Sequence, residues 1–168
     1  IEEAELRMKF SVSKQMEDGS WFYGEARNQR WIDSFHTGYN LIALDKFVKT
    51  VRAQGYEESL KKGYSFYLDT FFLEDGTVKY YHNKTFPLDC HAFACAIICL
   101  NSLKRLSERS ETILKKVIAR TVELFWSGRG YFYYRKGRWI TNKIPYIRWV
   151  QAWMFLALVE VSYHEYLD

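Results

Sequence analysis

Apolar and polar positions follow two different helical rhythms along this chain. Tyr56, Leu60, Tyr64, Tyr67 and Phe71 recur every three or four residues, with Glu57, Glu58, Lys61 and Lys62 on the other side. Farther on, Ile113, Val117 and Leu124 oppose Glu111, Lys115, Arg120 and Glu123. Both patterns predict helices with a single buried face. The stretches following Asp89 and Pro145 are instead apolar around most of their circumference, which a helix tolerates only when it is covered on most sides. A further helix starts at Asp33 or Ser34, with either residue as N-cap, and runs to about Ala53 before Gly55. Helices are therefore expected near 34–53, 56–71, 89–106, 109–126 and 146–163, the first, third and fifth more buried than the other two. Residues 1–14 read as the tail of another helix, with Leu6 and Phe10 turned inward.

This alternation rides on a repeat. QMEDGSWFYGEARNQRWIDSFHTGYNLIAL (residues 15–44), EDGTVKYYHNKTFPLDCHAFACAIICL (74–100) and GRGYFYYRKGRWITNKIPYIRWVQAWMFLAL (128–158) share one plan. Each has a glycine turn, a short extended aromatic piece and then an apolar helix. Aligning Leu44, Leu100 and Leu158 also aligns Asp33, Asp89 and Ile147, a period of 56 and then 58 residues. Helical hairpins repeating at that length stack into two layers, with buried helices inside and one-faced helices outside. The expected fold is all-α: an α/α toroid domain spanning 1–168, with repeats at about 15–71, 72–126 and 127–168. About three hairpins make a partial ring, because closure takes about six. The ring would be completed by a further part of the same protein or by a second chain.

Composition narrows the function. Aromatic residues make up 18% of the chain and there are only two prolines, which suits a helical protein with an aromatic-lined interior or groove. The net charge of +4 is spread along the chain, and the densest basic run, Tyr134 to Trp139, is too short for a nucleic-acid face. No run of apolar residues is long enough for a membrane span. Cys90, Cys95 and Cys99 lie within one apolar run at no zinc spacing and read as buried thiols. No metal site or cofactor is expected. Nothing demands an oxidising compartment, and a cytoplasmic setting is favoured.

Two resemblances follow from short phrases. Gln15 to Trp21, QMEDGSW, resembles the QxxxGxW element of terpenoid cyclases and prenyltransferase toroids, which ties an outer helix to the next inner one. The acidic cluster that starts triterpene cyclisation is absent, so this resemblance implies a fold and no chemistry. The phrases DGSWFYGE, QRWIDSFHTGYNL, KTFPLDCHAFACAI and GYFYYRKGRWITNKIPYIRWVQAW are similar to the carboxy-terminal half of a bacterial α/α-toroid family labelled as polysaccharide-biosynthesis proteins. Six-hairpin glycosidase toroids are more distant kin. Some members of the bacterial family carry the label aminolevulinate dehydratase, yet no lysine here sits in the βα setting of a Schiff-base barrel. This second resemblance implies a polysaccharide context and a sugar-sized cleft.

In a toroid, the loops entering the inner helices crowd one mouth of the ring. Asp33, His36, Asp89 and His91 sit at those entries as candidate acid–base groups, with Glu25, Arg30, Trp31, Tyr146, Arg148 and Trp149 as candidate sugar-binding groups. Aromatic faces stack on sugar C–H groups, while arginine and carboxylates fix hydroxyls or acidic sugars. Plainer roles compete: Asp33 and Asp89 as helix caps, His36 and His91 as structural histidines, and Glu25 as a loop acid. Arg148 falls in a helix expected to be enclosed, so it must find a carboxylate or line a wet cavity.

Two function classes follow. One is a carbohydrate-active enzyme of hydrolase, lyase or epimerase type, acting on a glycan or sugar precursor. The other is a non-catalytic glycan-binding or assembly module with the same aromatic mouth. A terpenoid cyclase-like enzyme is a third, weaker reading. A carboxylate–histidine pair within about 4 Å in a cavity distinguishes enzyme from binder.

Overall fold

The computed structural model describes residues 2–51 and 55–165. It contains α1 (Glu2–Ser13), α2 (Ser34–Val51), α3 (Glu57–Phe71), α4 (Cys90–Ser102), α5 (Arg109–Phe125) and α6 (Ala152–Glu165). The expected end of the second helix at Ala53 lies outside the described residues. A wide π-type turn, Ile147–Gln151, leads into α6, and a short 3-10 turn, Lys104–Leu106, follows α4. The strands β1 (Leu88–Asp89), β2 (Arg135–Lys136) and β3 (Thr141–Asn142) form a small antiparallel sheet in the order β1-β2-β3.

The core is organised around α4, whose residues from Cys90 to Asn101 are all buried. Its neighbours are α2, α5 and α6, while α3 packs on α2. Small side chains allow close approach. A Cβ added at Gly38 of α2 would lie 2.8 Å from Cys95 Sγ of α4. The aromatic and aliphatic side chains between these helices, among them Phe93, Ile97, Leu41 and Tyr67, have almost no exposed surface. Each such burial stabilises the fold by roughly 1.5–3 kcal/mol. Cys90, Cys95 and Cys99 are buried free thiols, as their apolar run implied. This is part of an α/α toroid, with α2, α4 and α6 as inner helices and α3 and α5 outside.

The repeat persists in backbone detail. Asp18 Oδ1 accepts the Ser20 amide at 2.9 Å, and Asp75 Oδ1 accepts the Thr77 amide at 2.9 Å. The intervening Gly19 and Gly76 have φ of +93° and +83°. A Cβ at these glycines would stand 2.5 Å from the Lys62 carbonyl oxygen of α3 and 2.4 Å from that of Lys116 in α5. Only glycine fits such turns. The extended pieces after the second and third turns join the preceding inner helix: the Ser34 amide donates to Tyr80 O, and the Cys90 amide to Tyr134 O. Gln15 ties this turn to the following outer helix rather than to the inner helix α2, donating to Gly19 O and to Ser59 O at the start of α3.

Three burial expectations need correction. The stretch 146–163 is not enclosed: Phe155 is 72% exposed, and Leu156, Leu158 and Val159 are also exposed. Among the described residues α4 covers one side of this helix and no helix covers the other. Leu6 and Phe10 do not turn inward either, each being 58% exposed. Instead, α1 packs through Met8 and Val12. Nor is α2 more buried than α3: eight of its 18 residues are buried, against seven of 15.

Candidate active site

The entries of α2 and α4 and the π-type turn before α6 converge on one aromatic-lined mouth. At its centre Asp33, 2% exposed, caps α2 by accepting the His36 amide at 2.8 Å. The same carboxylate holds His36 Nδ1, with Oδ2 at 2.8 Å and Oδ1 at 3.0 Å. Trp31 Nε1 donates to Oδ2 at 3.1 Å. Asp33 is thus both cap and orienter, and its grip on Nδ1 leaves His36 Nε2 without a partner among the described residues. His36 borders a recess of about 300 Å³ together with Tyr23, Asp33, Thr37, Tyr39 and Asn40.

Tyr39, one turn along α2, brings the second reactive group. Its hydroxyl shares a hydrogen bond with Nε2 of His91, which comes from the first turn of α4. Burial pushes the Tyr39 phenol above its ordinary value of 10, so it stays protonated. Burial also pushes His91 down to about 4, helped by the nearby His36, so its imidazole is neutral near pH 7. The His91 Nδ1 is buried and finds no partner among the described residues. Trp149 packs against His91 at a tilt of 35° with ring centroids 4.1 Å apart, and Trp153 closes the cluster at 5.1 Å from His91 and 5.4 Å from Tyr39.

Of the residues singled out from sequence, Asp33, His36, His91, Trp31 and Trp149 come together here. Asp89 does not join them as a free acid. It caps α4 through the His91 amide and is gripped twice by Arg135, at 2.8 and 2.9 Å. Its burial raises the carboxyl above the ordinary range against the pull of Arg135. Glu25 is an exposed acid paired with Lys14 at 2.8 Å. Tyr146 packs on Tyr134, away from His36. Arg148 needs correction: it is exposed and has no ion pair or hydrogen-bond partner among the described residues. Its segment forms the uncovered edge of the arc, so the enclosure argument does not apply.

Three participants were missed. Tyr39 is hidden among the apolar positions of α2, and Trp153 within the apolar run of α6. Arg135 lies 46 residues from Asp89, in a hairpin that no periodicity marks. A larger recess of about 420 Å³ lies elsewhere, against α3 and α5 around Phe72, Leu73 and Ile113, and holds none of these groups. Among the described residues no set of three His, Cys, Asp or Glu gathers to hold a metal. No helix among them is long and apolar enough to cross a membrane.

No protein-family model and no curated protein matches the chain. Solved structures do. The cellobiose 2-epimerase of Spirochaeta thermophila superposes with a TM-score of 0.75 at 12% identity, over 95% of this chain and 47% of its own. A D-mannose isomerase matches with a TM-score of 0.69 at 12% identity, over 95% of this chain and 45% of its own. A sugar epimerase from a ruminal bacterium gives 0.69 at 14% identity, over 96% of this chain and 48% of its own. The shared fold is a toroid. This chain spans about half the length of these proteins, in agreement with an arc of about three hairpins.

Proposed function

We propose that this chain carries an acid–base site for moving a proton on a sugar, the chemistry of carbohydrate epimerases and isomerases. The observation that carries it is the pair Asp33–His36, a histidine oriented through Nδ1 with Nε2 open in a sugar-sized recess. A buried carboxylate that fixes one ring nitrogen leaves the other to act as general base. In an open-chain sugar, His36 Nε2 would take the proton from the carbon next to the carbonyl. The C–H electron pair forms the C=C bond of an enediol, and the carbonyl oxygen gains negative charge. In the tautomer of neutral His91 that donates Nε2–H to Tyr39, the Tyr39 hydroxyl keeps its own proton to donate to that oxygen. Return of the proton to the same carbon, once the enediol has turned its other face to His36, re-forms the carbonyl and yields the epimer. Its return to the former carbonyl carbon, as the proton of the neighbouring hydroxyl passes to the former carbonyl oxygen, yields the isomer. No co-reactant is needed.

Glycosidic hydrolysis fits less well, because it requires two carboxylates facing the bond. Asp33 is consumed by His36 and Trp31, and Asp89 by Arg135. The fold shared with sugar epimerases and an isomerase supports the reading, and the sequence phrases add a polysaccharide-biosynthesis context. Arg148 and the uncovered side of α6 would then face the rest of the ring. Incubating the full-length protein with aldoses and with cellobiose, followed by chromatography, tests the proposal. New isomers should form, and should not form with His36→Asn. Sugar binding without interconversion would instead support the binding-module reading.

A further inference from the structure

We infer that a second recess beside the Asp33–His36 site is a subsite for a negatively charged glycosyl residue. It would take the sugar joined to the one lying against His36, so the inference rests on the proposed function. The recess has a volume of about 310 Å³ and is lined by Arg30, Trp31, Tyr81, His82, Asn83 and Lys84. That volume lies at the small end of the range for ligand pockets, suited to one ring rather than a chain.

Geometry links the two recesses. Trp31 lies parallel to Tyr23, with centroids 4.5 Å apart and an interplanar angle of 11°. Tyr23 lines the His36 recess and Trp31 the second one, so a two-ring wall separates them. Trp31 also donates to Asp33, which ties the wall to the catalytic pair. A disaccharide passing over this wall would place adjacent rings in the two recesses, with aromatic faces available to each.

Charge then selects the occupant. No carboxylate lines the second recess, whereas Arg30 and Lys84 both do. Arg30 spends only its Nε on the Glu25 carbonyl, and its guanidinium lies over Phe22. The Lys84 ammonium sits 4.5 Å from the centre of the Tyr81 ring. Neither has an acidic partner among the described residues. Two unpaired cations over aromatic floors favour an anionic sugar, and a uronate carboxylate matches a guanidinium fork.

The test compares affinities of the full-length protein for a glucuronosyl-glucose disaccharide and for its neutral glucosyl-glucose counterpart of the same linkage, at low salt. The acidic disaccharide should bind tenfold or more tightly, and an Arg30→Met, Lys84→Met double variant should bind the two alike. Equal wild-type affinity for both disaccharides would overturn the subsite while leaving the sugar reading intact. A preference that persists in the double variant would place the anion elsewhere and also overturn it. Inorganic phosphate serves as the third probe: displacement of the acidic disaccharide by phosphate at equal affinity would show a phosphate site instead. Failure of both disaccharides to bind would overturn the subsite, while interconversion of aldoses still decides the proposed function.

Discussion

Asp33 holds His36 at two atoms at once, accepting its backbone amide at 2.8 Å and facing its Nδ1 at 2.8 Å. One buried carboxylate therefore starts the helix and sets the imidazole. Asn in its place keeps an oxygen for the cap but loses the second acceptor and the charge. Asp33→Asn should leave the protein folded, with stability lower by about 1 kcal/mol, the usual scale of a cap change. Sugar interconversion should fall by roughly 10²–10⁴, because the imidazole loses its set orientation. Thermal unfolding and turnover measured together check this. A parallel loss of both would make Asp33 purely structural.

His91 makes stability depend on pH with a definite sign. Its folded-state value, about 4, lies below the ordinary 6.5. Between those values the unfolded chain holds a proton that the native chain does not, so stability rises with pH across that window. The contribution of neutral His91 is fully present above about 6.5 and is lost as pH falls through about 4, some 3 kcal/mol in all. Urea titrations from pH 7 to pH 4 should show this slope, and His91→Gln should flatten it. A wild-type slope equal to that of the variant would contradict the burial of His91.

The turn glycines differ in what surrounds them. Gly76 and Gly128 both have positive φ, but a Cβ at Gly76 meets the Lys116 carbonyl, whereas one at Gly128 meets nothing within 4 Å. Gly128→Ala should cost about 1–2 kcal/mol from backbone strain alone. Gly76→Ala should cost at least about 1 kcal/mol more, because the helix carbonyl must also move. Equal costs in denaturant unfolding would show that the turn-to-helix contact is loose.

The outer side of α6 should associate. Phe155, Leu156 and Val159 form an exposed apolar strip of the kind that marks an interface. The 168-residue chain should sediment as larger species as its concentration rises, and Phe155→Glu with Val159→Glu should reduce this. A wild-type chain that stays monomeric throughout would show that this side needs no cover.

The sequence made some of this molecule legible and hid the rest for physical reasons. Asp18-Gly19 and Asp75-Gly76 announce the repeat because local backbone geometry demands those residues, and α4 announces its burial by having no polar side. The last inner helix, α6, carries the same apolar signature, but burial there depends on a neighbour that its own residues do not encode. Asp33 and His36 are legible because a cap and a first-turn histidine are close in sequence. Tyr39 meeting His91, and Arg135 meeting Asp89, depend on how α2, α4 and the β2–β3 hairpin stack. No single stretch carries that information.

The central claim is that His36 moves a proton on a sugar carbon. Proton NMR of glucose, mannose and cellobiose incubated with the full-length protein in deuterated buffer reads this directly. The account predicts that the C2 proton signal of at least one sugar fades as deuterium enters from solvent. The fading should slow by 10² or more with His36→Asn, the scale for losing a general base. Saturation of the site by these sugars with the C2 signal unchanged over days would contradict it and leave a glycan-binding module.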